Sequence, residues 1–225
     1  LDNDVLTKRY QSEFDYAHQA RAVFATDSPD LSSMLSKAEY HAYLTDAFSD
    51  IIEKTSLQTL VLVNSLEDID AVYNGLSIRG LNKKREILAQ GVNGTPEKLK
   101  KRFVLTSSKS ILLGAGSFWE GIDLPEEKLE LLVITRLPFQ SPDSLINKVR
   151  YRNVQAKGHN PFSAVSLPEA ALKFRQGFGR LIRTKDDHGI LAVLDSRIVN
   201  KRYAHEFTDT LPKDLRIDLV EMKDI

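Results

Sequence analysis

Cysteine is absent from the 225 residues of this chain. A chain without cysteine cannot form a disulfide scaffold, a thiolate zinc site, a cysteine-held iron–sulfur cluster or a cysteine nucleophile. Histidine is scarce, and the five residues present form neither an HExxH motif nor a paired-histidine metal spacing. The sequence therefore predicts no metal site in this chain.

Long apolar runs are also missing. The longest ones (60–63, 111–113 and 131–134) are far too short to cross a bilayer. No signal-peptide pattern opens the chain, so we expect a cytoplasmic protein without membrane contact. The chain starts at Leu1 rather than Met, which suggests a fragment of a longer protein.

Neither sign of charge is in excess, since 31 Lys and Arg residues balance 31 Asp and Glu residues. A net charge of zero argues against a protein whose whole surface binds a polyanion, but it leaves a local basic patch open. Hydrophobic residues make up 42% of the chain, an ordinary value for a globular domain. The length suits one large domain or two small ones.

Short apolar segments alternate with amphipathic segments along the chain. Buried strands are predicted near residues 59–64, 85–90, 110–114, 129–135 and 189–194. Helices are predicted near residues 38–55, 67–76, 143–156, 168–183 and 198–210, and from Pro96 onward. This alternation predicts one α/β domain with a mostly parallel sheet covered by helices on both faces. Residues 1–35 are interpreted as a lead-in segment of irregular or strand structure, packed on a domain of residues 36–225.

Several predicted helices carry a start signal. Ser36, with Glu39 three residues later, has the pattern of a capping box. Ser65 is a suitable cap for the next helix, and Pro96 stands at the favoured first position of another. These signals fix where the helices are expected to begin.

A glycine-rich loop follows the predicted strand at residues 110–114. Ligands of open parallel sheets bind at the carboxyl ends of strands, so this loop is a candidate site. Its sequence from Gly114 to Asp123 is GAGSFWEGID. It is not a dinucleotide fingerprint, because GxGxxG would require glycine in place of Trp119. The simpler interpretation is a bent turn with Phe118 and Trp119 packed in the core.

A second candidate site lies at the end of the predicted 168–183 helix. Gln176, Arg180 and Arg183 are spaced i, i+4 and i+7, so they would share one stripe of that helix. Gly177 and Gly179 interrupt it, at a cost of about 1 kcal/mol each relative to alanine. Such a cost favours close approach of another backbone or a ligand, and two guanidinium groups suit a phosphate. The alternative is an ordinary amphipathic helix with surface arginines.

The usual nucleotide-holding motifs are missing from the sequence. No phosphate-binding loop of the form GxxxxGK[ST] occurs, and no DEAD- or DEAH-like carboxylate pair ends a predicted strand. The chain therefore lacks the loop that cradles phosphates and the acid that holds magnesium. Arginines offered to a nucleotide that the chain cannot hold alone match an arginine finger supplied to a neighbouring domain.

These segments resemble the motifs of superfamily 2 helicases. QGFGRLIR resembles motif VI, and GSFWEGID resembles motif V as it occurs in the DinG branch, which is related to the XPD helicases. TLVLVNS followed by a helix resembles motif IV. FDYAHQA (14–20), RLPFQSPD (136–143) and residues 160–168 are also similar to DinG proteins. The resemblance covers residues 12 to 212, approximately.

The resemblance implies the second RecA-like motor domain of an ATP-dependent DNA helicase, a P-loop NTPase-type fold without its own P-loop. It implies that Arg180 and Arg183 act as arginine fingers on the γ-phosphate of ATP. Gln176 would hydrogen-bond near the same phosphates. ATP and Mg²⁺ would be held mainly by the first motor domain of the same protein, outside this chain, and the chain alone would be inactive.

The resemblance assigns two further groups of residues. The nucleotide-binding group comprises Glu120, Gly121, Asp123 and Gly179. The group that would contact single-stranded or forked DNA comprises Ser65, Gly116 and Ser117. Leu66 stands where the family usually has an aromatic residue or histidine, a departure that argues against base stacking there.

Features of some relatives would lie outside this chain. The iron–sulfur cluster of many relatives belongs to the first motor domain, and others carry an N-terminal exonuclease domain in its place. Two alternatives to the motor stay open. One is a RecA-like module that binds nucleic acid or a partner without motor work. The other is a small-molecule α/β enzyme that uses Glu120, Asp123 and His159 as acid and base groups.

Overall fold

The computed structural model describes residues 13–29, 36–105, 109–119 and 129–221. Within these residues the strands are β1 (Ala20–Ala25), β2 (Thr59–Leu62), β3 (Ile87–Ala89), β4 (Ile111–Gly114), β5 (Leu131–Ile134), β6 (Gly189–Val193) and β7 (Arg216–Val220). They form one sheet in the order β3-β4-β2-β5-β6-β1-β7, and every neighbouring pair is parallel. The predicted α/β fold with a parallel sheet is confirmed.

Helices cover both faces of this sheet. They are α1 (Tyr16–Gln19), α2 (Lys37–Lys54), α3 (Leu66–Ile78), α4 (Pro96–Leu105), α5 (Leu145–Ala156), α6 (Leu167–Phe178), α7 (Arg197–Asn200) and α8 (His205–Thr208). A π-helical turn, Phe162–Ser166, leads directly into α6, and a 3₁₀ turn, Gly116–Phe118, follows β4. In the part of the chain that the structure describes, no helix is long and apolar enough to span a membrane.

Alternate residues of the central strands build two separate cores. On one side, which we call the α6 face, Leu62 of β2 packs with residues of α4, α6 and α8, such as Phe174 and Phe207. On the other side, the α2 face, Val61 packs with residues of α2 and α3, such as Phe48. All residues of β2, β4 and β5 are buried, which explains why their sequences are apolar apart from Thr59.

Three helices begin where their sequences predict. At α2 the Ser36 hydroxyl accepts the N–H of Glu39 at 3.3 Å, and the Glu39 carboxylate accepts the N–H of Ser36 at 2.8 Å. This is the predicted capping box. At α3 the Ser65 hydroxyl accepts the N–H of Asp68 at 3.1 Å. Pro96 is the first residue of α4.

Other parts of the chain differ from the prediction. The lead-in segment contains β1, which lies inside the sheet between β6 and β7. The apolar pattern does not reveal β7, because every residue of this strand is exposed or half-buried. The predicted 198–210 helix is divided into α7 and α8, since Lys201 after α7 is extended with φ −98° and ψ 145°. The division of the chain at residue 35 stays a prediction.

Candidate nucleotide and nucleic-acid site

The turn after β4 places residues of the GSFWEGID segment at the carboxyl edge of the sheet. Gly116 has a φ of +52°, a left-handed conformation that favours glycine. Gly116 and Ser117 are exposed, whereas Phe118 and Trp119 are buried. The indole N–H of Trp119 donates to the carbonyl oxygen of Val63 at 3.0 Å. The two aromatic residues therefore anchor the turn in the core, as the simpler interpretation predicted.

Arg180 is bound to this same turn. Its guanidinium donates hydrogen bonds to the main-chain carbonyl oxygens of Phe118 and Trp119, and the residue is only 8% exposed. Burial, and next the nearby charge of Arg183, lower the pKa of Arg180 from its ordinary value. An arginine nevertheless keeps its charge in proteins. Arg180 and the turn thus form one hydrogen-bonded unit.

The helical stripe predicted for Gln176, Arg180 and Arg183 is wrong. Helix α6 ends at Phe178, and the N–H of Gly179 caps it by bonding to carbonyl groups of the last turn. The two arginines therefore follow the helix, and only Gln176 lies on it, with its side chain exposed. The chain leaves the helix because Arg180 turns inward to the carbonyl groups of the β4 turn.

The glycines of this segment have less demanding surroundings than we expected. A Cβ atom on Gly177 would lie 3.8 Å from the side chains of Leu62 and Trp119, which is an ordinary contact. Gly179 is the cap of α6 with a helical φ of −61°, and a Cβ there would lie 3.5 Å from the carbonyl oxygen of Arg175. Within the protein, therefore, Gly177 is not needed for an unusually close approach, and the approach of a ligand stays a prediction.

The loop that follows Arg180 is held by two buried polar side chains. Asp187 Oδ2 accepts the N–H groups of Arg183 at 2.7 Å and of Thr184 at 2.8 Å. Burial raises the pKa of Asp187, but these two backbone hydrogen bonds, together with the Thr184 side chain and the charge of Arg183, outweigh burial and bring the pKa below its ordinary value. Gln19 Nε2 lies 3.0 Å from three carbonyl oxygens between residues 184 and 187. The main chain at Arg183 is fixed as a result.

A groove of about 250 Å³ opens beside the β4 turn. It is lined by Asn64, Gly116, Trp119, Pro138, Phe139, Gln140, Ser141, Ser144, Asn147 and Lys173. These residues follow β2, β4 and β5 or lie at the start of α5 and along α6. Amide, hydroxyl and ammonium groups of this kind can contact a nucleic-acid backbone without reading its sequence.

The groove brings together residues that the sequence pattern only partly identified. Gly116 lines it, and Ser117 is exposed next to Gly116. The hydroxyl of Ser65 caps α3, and its neighbour Asn64 lines the groove instead. The family-like segment at residues 136–143 was the available signal for the part of the groove after β5.

Some predicted residues cannot be placed in this way. Glu120, Gly121 and Asp123 lie outside the described residues, so their assignment to the nucleotide site stays a prediction. His159 is exposed beyond the end of α5. Among the residues with described positions, no group of three or more His, Cys, Asp or Glu side chains could hold a metal ion.

Residues 48–214 match the family model described as "Helicase C-terminal domain". The chain belongs to this family. The helicase C-terminal domain contains the β4 turn, the groove and both arginines within the matched region. The family resemblance drawn from the sequence motifs is confirmed.

Relatives of this helicase C-terminal domain carry the names DinG and YoaA. The chain is 36% identical over 207 residues to "3'-5' exonuclease DinG" of Bacillus subtilis, covering 92% of this chain and 22% of that protein. It is 37% identical over 215 residues to "ATP-dependent DNA helicase DinG" of Photobacterium profundum, covering 92% and 29%. It is 32% identical over 204 residues to "ATP-dependent DNA helicase YoaA" of Escherichia coli, covering 89% and 30%. The chain thus spans less than a third of the length of these relatives.

Solved helicase structures share the fold of this domain. A structure named "XPD_Helicase" superposes with a TM-score of 0.66 at 20% identity, covering 89% of this chain and 35% of that one. The DEAD-box protein SrmB of E. coli superposes with a TM-score of 0.51 at 11% identity, covering 90% and 91%. These similarities confirm the RecA-like fold.

Proposed function

We propose that this chain is the C-terminal half of the motor of an ATP-dependent DNA helicase. The bonds from Arg180 to the carbonyl groups of Phe118 and Trp119 carry the proposal. They tie the arginine segment, suited to phosphate, to the turn that borders the polar groove. The names of the Photobacterium and E. coli relatives support ATP and DNA as the two ligands.

The arginine segment acts at the nucleotide in this proposal. Arg183 faces a triphosphate that the first motor domain holds together with Mg²⁺. Arg180, whose guanidinium is bound to the carbonyl groups of Phe118 and Trp119, offers its remaining N–H donors to the same phosphates. Both stabilise the negative charge of the transferring phosphoryl group. Arginine fingers of this kind contribute about 10³ to 10⁵ in rate. Gln176 hydrogen-bonds the same phosphates, and Gly179 lies beside them. Guanidinium and amide donors fit phosphate oxygens, which is why we assign these residues to the γ-phosphate.

Glu120, Gly121 and Asp123 complete the nucleotide-facing group in this proposal. Their place in the sequence directly after Trp119 supports the assignment, because Trp119 accepts a hydrogen bond from Arg180. In this role they would make the affinity of the domain for DNA depend on whether ATP or its hydrolysis products are bound.

The groove holds a single DNA strand in this proposal. Gly116 and Ser117 contact the strand from the β4 turn, and Asn64 contacts it after β2, beside Ser65. Lys173 of α6 supplies a positive charge among the neutral polar groups of the lining. A groove lined by such groups binds single-stranded DNA with an affinity that depends little on the base sequence and clearly on the salt concentration.

The salt dependence of DNA binding tests the groove. We expect Lys173→Ala in this chain to reduce the slope of log affinity against log salt by about 0.7, the value for one phosphate contact to a single strand. Fluorescence anisotropy of a labelled oligothymidine measures this slope. Lys83→Ala is the matched control, since Lys83 is exposed ahead of β3 at the opposite edge of the sheet. An unchanged slope for Lys173→Ala would remove the groove from the proposal.

A second candidate function follows from the Bacillus relative, which is named an exonuclease. In that case the domain would hold DNA for a nuclease and would bind nucleic acid without motor work. ATP hydrolysis by the full-length parent separates the two candidates. A motor requires hydrolysis stimulated by single-stranded DNA, whereas this chain alone is expected to hydrolyse no ATP. A cytoplasmic location stays a prediction for both.

A further inference from the structure

We infer that Gln19 is a positioning residue for Arg183, because it fixes the main chain of the loop that presents this arginine. The inference rests on the proposed function, which gives Arg183 its role at the nucleotide. Gln19 belongs to the segment FDYAHQA at residues 14–20. That segment resembles the family, but none of the motif IV, V and VI roles accounts for it.

The side chain of Gln19 links two distant pieces of main chain. The residue is 6% exposed, and its Nε2 lies 3.0 Å from each of the carbonyl oxygens of Thr184, Lys185 and Asp187. Its Oε1 accepts the N–H of Asp15 at 2.9 Å. Both ends of the buried amide are therefore satisfied by main-chain groups.

The loop depends on such links because it has little regular structure of its own. Residues 179–188 connect the end of α6 to the start of β6. Asp187 Oδ2 holds the N–H groups of Arg183 and Thr184, at 2.7 and 2.8 Å. Gln19 holds the carbonyl groups on the following residues. The N–H groups and the carbonyl groups of the loop are thus bound by two different side chains, and they fix the main chain from which the half-buried side chain of Arg183 extends.

The pairing of β1 with β6 directs Gln19 at the loop. Ala20 is in register with Gly189, so Gln19 stands one residue before the ladder, beside the residue at which the loop joins β6. The bonds join positions that are 165 to 168 residues apart in the sequence. A misplacement of about 1 Å of a catalytic group can cost about 10² in rate, so a loop fixed in this way matters for a finger.

Gln58 offers a matched control within the same fold. It is 3% exposed and lies at the amino end of β2. Its Nε2 donates to the carbonyl oxygen of Phe103 at 2.6 Å, and its Oε1 accepts the N–H of Ser110 at 2.7 Å. Gln58 is thus a buried glutamine that joins main-chain segments, as Gln19 does, but it holds α4 and β4 rather than the arginine loop.

ATP hydrolysis by the full-length parent, with saturating single-stranded DNA, tests the inference. We expect Gln19→Ala to lower kcat about 10-fold to 100-fold and to change the KM for ATP less than about twofold, because the triphosphate is held by the first motor domain. Gln19→Glu should lose as much kcat, although it keeps the volume, because a carboxylate has no N–H to donate to the carbonyl groups of the loop. Gln58→Ala should lower the thermal midpoint similarly and leave kcat within about twofold.

A double mutant separates this inference from the proposed function. If Gln19 acts through Arg183, Gln19→Ala should change the residual kcat of Arg183→Ala less than about twofold. Equal kcat values for Gln19→Ala and Gln58→Ala would overturn the inference. A double mutant whose kcat lies about 10-fold to 100-fold below that of Arg183→Ala would overturn it as well. Near-normal kcat in Arg183→Ala would instead overturn the finger role itself, and the inference with it.

Discussion

Hydrogen bonds on the two faces of the sheet differ in what they hold in place. Ser36 and Ser65 cap helices α2 and α3 of the α2 face, and each hydroxyl accepts the N–H of the residue three positions later in the sequence. On the α6 face, Arg180 bonds to carbonyl groups 61 and 62 residues away, and Trp119 bonds to one 56 residues away. The local bonds stabilise helices. The long-range bonds instead place the groups that we propose to act on nucleotide and DNA.

The largest expected effect comes from the arginines near the α6 face. Arg180→Ala and Arg183→Ala in the full-length parent should each lower DNA-stimulated ATP hydrolysis by about 10³ or more. Arg180→Ala should also lower the free energy of unfolding of this chain by about 1–3 kcal/mol, because two carbonyl groups lose their buried donor. Steady-state ATPase and urea unfolding measure the two quantities.

An arginine of the α2 face provides the control for this comparison. The guanidinium of Arg79 donates to Ser49 Oγ at 2.8 Å and to Asp46 at 2.5 Å, so Arg79 also joins two elements. Arg79→Ala should leave ATP hydrolysis near normal. Near-normal hydrolysis in Arg180→Ala would contradict its role as a finger, and a large loss in Arg79→Ala would remove the distinction between the faces.

Two helical glycines should respond to alanine in opposite directions. A Cβ on Gly75 of α3 would lie 2.7 Å from Thr45 Oγ1 of α2, so Gly75→Ala should cost about 1–3 kcal/mol of unfolding free energy. A Cβ on Gly177 of α6 would have ordinary contacts at 3.8 Å, so Gly177→Ala should add about 0.5–1 kcal/mol. Urea unfolding measures both.

The crowding at Gly75 has its own control. Thr45→Ala removes the hydroxyl and methyl groups that a new Cβ would meet, so it should recover most of the stability lost in Gly75→Ala. A stabilised Gly75→Ala chain would show that α2 and α3 are less closely packed than the structure has them.

The smallest expected effect is at the cap of α2. Ser36→Ala removes the acceptor for the N–H of Glu39 and should cost about 1 kcal/mol of unfolding free energy. Because the cap is local to the α2 face, the affinity for single-stranded DNA should stay the same. A weakened affinity at temperatures where the chain is folded would show that the two faces are coupled.

Local sequence signals were sufficient for the elements that depend on local interactions. The caps at Ser36 and Ser65 and the apolar runs of β2, β4 and β5 predict elements of the α2 face and the centre of the sheet. The end of α6 was missed because the spacing of Gln176, Arg180 and Arg183 carries no trace of the distant carbonyl groups that Arg180 binds. Strand β7 was missed because its residues are exposed or half-buried at the edge of the sheet.

The candidate site was predictable to a similar extent. The motif-like segments located Arg180, Arg183 and Gly116, since these residue types serve phosphate and backbone contacts. Asn64 lies in the segment that resembles motif IV, but nothing in the sequence shows that it meets Lys173, because the two residues come together only through the order of the strands and the path of α6. Gln19 likewise looks like an ordinary polar residue until β1 is paired with β6.

The position of β1 has a consequence for how the chain is made. Among the described strands, β1 is hydrogen-bonded to β6 and β7, whereas β2 pairs with β4 and β5. During synthesis on a ribosome, β1 therefore has no strand to pair with until residues 189–220 have been made. Strands β2, β3, β4 and β5 can pair before that point. Contacts between such distant positions also form slowly. Gln19 thus reaches the arginine loop late, so a nascent chain acquires a fixed Arg183 only when almost all of the sheet exists.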